Sequence, residues 1–219
     1  MSQKLNDAIL KLRKTENRLL ELGMNMLNAD NGTLFPVDLI AVGAMKRTAS
    51  NTEGFITLVE AKNMISARAL LRIQIDTFMR FSALWLVDSP HDLAKKIIDG
   101  KHIRNIKDKT GNKMTDGYLS NRFTAEYPWV KDVYRNLSGY VHFSSAHLFN
   151  AVENINHEMK TLNIKIGKED LQYPEWSWIK RVSGTKTKLF LIFSYYVFLS
   201  RNLFSFPQSC GNAYENYIN

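Results

Sequence analysis

Residues 65–87 are apolar almost all round a helical wheel: Ile65, Leu70, Leu71, Ile73, Ile75, Phe78, Met79, Phe81, Leu84 and Trp85 leave no broad face for water. A helix of that kind belongs in the middle of a bundle. It must be enclosed by helices that each carry one apolar stripe, and the chain supplies them. Residues 2–27 place Leu5, Ile9, Leu12, Leu19, Leu20, Met24 and Leu27 close to a 3.6-residue period. Residues 28–35 read as a turn. Pro36 then opens a second helix, at a position where the missing N–H is not needed, and this helix runs to about residue 62. Asn63 and Met64 form a tight connection, so the second and third helices make an αα-hairpin.

Ser89 and Pro90 are a cap and a first-turn proline, predicting a fourth helix over residues 90–107. A loop over 109–116 follows, then a short helix after Thr115. Another helix starts near Pro128 and continues through Arg135 toward His142, bending at Gly139. A further helical stretch is expected over 144–156. Between 160 and 178 the period changes to two, with Leu162, Ile164 and Ile166 alternating with polar residues, which predicts a small hairpin or irregular excursion. A last helix is expected over 185–206, stopped by Pro207.

The expected fold is therefore all-α: one helical domain over residues 1–207, with a loose polar tail at 208–219. Only 11 glycines and 5 prolines interrupt 219 residues, a length that can bury a core without covalent staples. The single cysteine, Cys210, excludes a disulfide framework within the chain and a cysteine-rich zinc site. The most apolar run, residues 189–200, is shorter than the roughly 20 residues a membrane span needs. The first 27 residues mix charge and leucine and do not form a secretory signal. A cytoplasmic protein without a membrane partner is expected.

The central helix carries one anomaly. Arg68, Arg72, Asp76 and Arg80 recur every four residues. Each step advances about 40° round the axis, so all four lie within an arc of about 120°. Charges in such a position must pair with each other or face a polar cavity. Asp76 can reach Arg72 and Arg80, but three cations face one anion. Two readings stay open: an internal salt-bridge ladder, or a cleft that takes an anion, phosphate above all. The net charge of +8 suits an anionic partner, RNA or nucleotide.

Residues 131–149 (KDVYRNLSGYVHFSSAHLF) hold the second feature. On an unbroken helix Arg135 and His142 would lie about 20° apart round the axis and about 10 Å apart along it, suitable for flanking a phosphodiester. Arginine can hold a phosphate and stabilise its developing charge, and histidine can move the proton. Asn136 can orient a hydroxyl or a phosphate oxygen. Such chemistry on RNA needs no metal and no cofactor, because the 2′-OH is the nucleophile.

This segment resembles the HEPN family, whose motif is Arg, a polar residue, and His after four to six intervening residues. Here Arg135 is followed by Asn136, and His142 comes after six intervening residues. The resemblance covers about residues 36–156, leaving the N-terminal helix, the excursion and the last helix as additions. It implies an α-helical bundle, metal-independent RNA cleavage, and a homodimer that joins two motifs in one composite cleft. Arg135 would bind and polarise the scissile phosphate, His142 would transfer the proton, and Asn136 would position the substrate. Arg68, Arg72, Asp76 and Arg80 would line or brace that cleft. Such proteins often serve as toxins or antiviral effectors, which adds a protein antitoxin or regulator to the expected partners. The alternative is a non-catalytic HEPN-like module that binds nucleotide, RNA or a protein.

Other features are weaker. His142 and His147 point apart on a helix, which disfavours a metal pair. Ser138, Ser144 and Ser145 lack a placed acid for a Ser-His hydrolase. Seven basic residues crowd residues 95–113 against Asp99 and Asp108, either tracking a nucleic-acid backbone or facing water. Tyr173, Trp176 and Trp178 sit beside Lys180 and Arg181, an arrangement that can stack on bases or cap the edge of a core.

Overall fold

The computed structural model describes residues 2–186. Eight α-helices, three 3-10 turns, one π-helical turn and one two-stranded hairpin make up the regular structure of those residues, so the chain is an all-α bundle with a small β excursion. Helix α1 spans Gln3–Asn28 and is capped by Ser2, whose hydroxyl accepts from the Leu5 amide. Helix α2, Pro36–Glu60, starts at the expected proline, and Asp38 turns back to accept the Phe35 amide at 2.8 Å. Lys62 takes a positive φ of 55° in the turn, and Asn63 caps the Ser66 amide at 3.0 Å to start α3, Met64–Ser82.

Helix α3 is the centre of the molecule, packed against α2, α5 and α6. Leu71, Ile75, Phe78, Met79 and Phe81 are buried in one continuous core with Leu5, Leu12, Leu19, Phe55, Ile56, Leu119, Phe123 and Val130. Its polar intruders toward α2 are satisfied: Gln74 donates to Thr48 Oγ1 at 2.9 Å and accepts from Asn51 at 3.1 Å. Gly54 lets the two helices close up, since a Cβ there would meet Leu70 Cδ1 at 3.1 Å. The α-helix ends at Ser82 rather than continuing to 87; Ala83–Leu86 tightens into a 3-10 turn.

Helix α4 covers only Pro90–Ile98 and does not reach residue 107. Gly100 takes φ +83°, the Lys101 amide bonds back to the Lys96 carbonyl at 2.9 Å and the helix ends there. The basic stretch over 95–113 is therefore split between a helix end and a loop. Within that loop the Asp108 carboxylate accepts from the Tyr118 hydroxyl, from Thr110 and from the Asn112 amide. Burial works against the carboxylate, but these hydrogen bonds outweigh it and hold its pKa down to about 2.

Helices α5 (Asp116–Thr124) and α6 (Trp129–Ser138) pack on each other and on α3. Helix α7 is short, Ser145–Ala151, and the helical expectation over 144–156 fails at Val152. There the chain enters strand β1, Val152–Asn156, antiparallel to β2, Thr161–Ile164; Ile166 lies beyond the pairing. A bulge between Val152 and Asn154 brings Val152 and Ile155 onto one face with Leu162 and Ile164. Asn154, Asn156, Thr161 and Asn163 share the other face.

Helix α8, Glu175–Arg181, leads into a π-helical turn, Val182–Lys186, and both pack on α1. The Ser2 amide donates to Glu175 at 2.9 Å, joining the start of α1 to the start of α8, and hydrogen bonding from the Ser2 side chain first and its amide second lowers the Glu175 pKa. The expected last helix lies outside the described residues except for Thr185 and Lys186, and the tail at 208–219 lies wholly outside them. Among the described residues no helix is long and apolar enough to cross a membrane.

Candidate functional site

The charged stripe of α3 divides in two. Arg80 donates through Nε to both oxygens of Asp76, at 3.0 and 2.9 Å, and through Nη2 to Asp116 at 2.6 Å. Arg72 lies 3.9 Å from Asp76, donates to Ser138 Oγ at 3.3 Å, and lays its guanidinium 3.7 Å from the centre of the Tyr134 ring. Burial raises the Tyr134 pKa, and the neighbouring Arg72 opposes that rise. Arg72, Asp76, Arg80 and Asp116 thus alternate in sign. Asp116, delivered by the first turn of α5, is the second anion, and its role has no local signal in the sequence.

Arg68 stands outside that ladder. It is only 9% exposed, and its guanidinium lies 4.6 Å from the Tyr140 ring and 5.0 Å from the Tyr173 ring. It donates to the Tyr140 hydroxyl and, at 3.5 Å, to that of Tyr173. No carboxylate among the described residues bridges to it. Arg181 lies 6.0 Å from the centre of the same Tyr173 ring and donates to the Ser177 carbonyl and hydroxyl, each at 3.0 Å. Burial, and then the charge of Arg68, push the Arg181 pKa down to about 10, which leaves it cationic at neutral pH.

Tyr173 is fixed from behind by a buried relay. Its hydroxyl donates to Asn150 Oδ1 at 2.5 Å, and Asn150 donates to Asp170 Oδ1 at 2.6 Å. Asp170 Oδ2 accepts the amides of Met64 and Ile65, at 2.6 and 3.3 Å, at the start of α3. This carboxylate docks the segment after the hairpin on the positive end of the central helix, and the Asp170 amide adds a bond to the Lys62 carbonyl at 2.8 Å. Nothing local in the sequence marks Asp170, Asn150 or Tyr140, because their partners lie far away in the chain.

The Arg/His segment differs from its expected form. Helix α6 ends at Ser138, so Arg135 and His142 are not on one unbroken helix. The Tyr140 and Val141 amides bond three residues back, to Leu137 and Ser138, before His142 returns to Ser138 at 3.3 Å. That tightening adds rotation per residue and moves His142 off the line of Arg135. Gly139 permits the return of the chain: Ser144 Oγ donates to its carbonyl at 2.8 Å, and a Cβ at 139 would meet that oxygen at 2.9 Å.

Arg135, Asn136 and His142 are all exposed. Arg135, 73% exposed at its side chain, contacts Asp132 at 3.3 Å. His147 stacks on Phe143 with ring centres 5.6 Å apart and accepts the Ser144 amide at 3.3 Å through Nδ1. The nearby serines are used in structure: Ser138 donates to the Tyr134 carbonyl, and Ser144 to that of Gly139.

Asn136 has a second setting. It lies on the wall of a cleft of about 530 Å³ between α6 and α8, opposite Trp176, Lys180 and Arg181, with Leu71, Val133 and Leu137 supplying apolar lining. The cleft therefore joins one residue of the Arg/His segment to the cationic aromatic segment of α8, while Arg72, Asp76 and Arg80 serve the ladder. No protein-family model matches the chain, and neither a curated protein nor a solved structure matches it.

Proposed function

We propose that this protein acts on RNA as a metal-independent endoribonuclease of HEPN type, with Arg135, Asn136 and His142 as its reacting set. The observation that carries the reading is the contrast in exposure. Arg135 and His142 meet solvent at the C-terminal end of α6, whereas the ladder arginines Arg72 and Arg80 are tied to carboxylates. In this reaction the ribose 2′-OH attacks phosphorus and the 5′-oxygen leaves. His142 takes or returns the proton, and Arg135 stabilises the charge on the phosphoryl oxygens. Val141 and Phe143, the latter 86% exposed, flank His142 with apolar surface. That surface suits a second copy of the chain, which would bring two motifs together.

Purified protein is expected to cleave single-stranded RNA in EDTA and to leave a 2′,3′-cyclic phosphate. Arg135→Ala or His142→Ala should abolish cleavage with the thermal transition nearly unchanged. Cleavage that survives both substitutions removes the assignment.

A second reading, a module that binds RNA or nucleotide without cleaving it, draws support from Arg68 and Arg181. These two cations lack a carboxylate among the described residues, and Arg181 lines the cleft. It predicts binding that weakens steeply with salt and no cleavage product.

A further inference from the structure

The cleft between α6 and α8 has a chemistry of its own. Arg181 and Lys180 present adjacent cations on one wall. Arg68 and Arg181 both lie close to the Tyr173 ring, at 5.0 and 6.0 Å from its centre, the charge of Arg68 acts on Arg181, and no carboxylate among the described residues bridges to either. The carboxylate linked to Tyr173 through Asn150 is Asp170, and both of its oxygens are already committed to Asn150 and to the start of α3. Like charges held this close repel, and a bound anion would relieve them. On the same cleft Trp176 offers an indole, 65% exposed, with no ring partner among the described residues. Asn136 adds an amide that can both donate and accept. A volume of about 530 Å³ lies within the range of small-molecule sites.

We infer that this cleft binds a nucleoside phosphate, with the phosphate on Arg181 and Lys180 and the base against the indole of Trp176. An inorganic anion would use the cations and leave the indole and the apolar wall without a role. A nucleoside alone would leave the guanidiniums without a counter-ion. The site deepens the reading of a binding module and rests on it; it shares Asn136 with the nuclease set but needs no cleavage at Arg135 and His142.

The test is calorimetric titration of the full chain at low salt with AMP, adenosine and inorganic phosphate in separate arms. AMP is expected to bind about tenfold or more tightly than either fragment. Arg181→Gln should weaken AMP about tenfold or more. Lys180→Met should weaken AMP and phosphate alike by about threefold or more, and Trp176→Ala should bring AMP down to the affinity of phosphate. Arg135→Ala and His142→Ala should keep AMP affinity within about twofold even where they end cleavage, which separates this site from the nuclease reading. AMP binding no tighter than phosphate overturns the inference. So does AMP binding unmoved by both Lys180→Met and Trp176→Ala, whose exposed side chains can be replaced without threatening the core.

Discussion

Toward its C-terminal end α3 surrounds its arginines with carboxylates; at its N-terminal end it surrounds Arg68 with phenols. Arg72 and Arg80 share Asp76, and Arg80 also holds Asp116. Arg68 has two tyrosine rings, two hydroxyl acceptors and another arginine nearby. The residue type, helix and four-residue spacing are the same, yet one end is electrically closed and the other has an excess of positive charge. Spacing along a helix decides which side chains share a face. It does not decide which helix brings the counter-charge, and that difference separates a brace from a binding surface.

The comparison can be broken most severely at its N-terminal end. Asp170→Ala removes the acceptor for two α3 amides and for the side-chain N–H of the buried Asn150. A loss of about 3 kcal/mol is expected in urea unfolding. A loss within error would mean that water replaces the carboxylate and that the excursion is not pinned there.

At the other end, Asp76→Ala leaves Arg72 without an anion while Arg80 keeps Asp116. About 2 kcal/mol should be lost, between the exposed and the buried limits for ion pairs. Arg68→Met sharpens the contrast, because it removes a cation that has no anion to lose. It should change stability by less than about 1 kcal/mol in the same assay. If Arg68→Met costs as much as Asp76→Ala, the two ends of the helix are not different in kind.

The smallest effect concerns a carboxylate outside the stripe, in the loop before α5. Asp108 is held down to about 2 in the folded chain, against 3.8 ordinarily, so its contribution is present above about pH 4 and is lost as pH falls toward 2. Tyr118→Phe removes one of the donors responsible and should flatten the acid limb of a stability-against-pH curve. An unchanged curve would assign that limb to other carboxylates.

Much of the scaffold is legible from local chemistry. Pro36, Asn63 and Ser89 mark helix starts because each acts on backbone groups within a few residues of itself. The all-round apolarity of residues 65–82 places α3 at the centre. Legibility fails where a distant or conformational event decides. Gly100 ends α4 through a left-handed backbone angle that the surrounding helix-forming residues conceal. Val152 leaves the helix because a partner strand exists nine residues on. The periodicity exposes the charged stripe but not its division, because Asp116 and Tyr140 arrive on other segments. Tyr173, Trp176, Lys180 and Arg181 stand out as aromatics beside cations, yet only the fold brings Asn136 across from them.

Asp170 has one more consequence. Its two oxygens connect the first amides of the central helix, by way of Asn150, to the phenol that Arg68 and Arg181 both approach. The hydrogens on the nitrogens of residues 64 and 65 are thus a built-in gauge. Deuterium uptake at those positions should slow when the space beside α8 is filled, although no ligand comes near them.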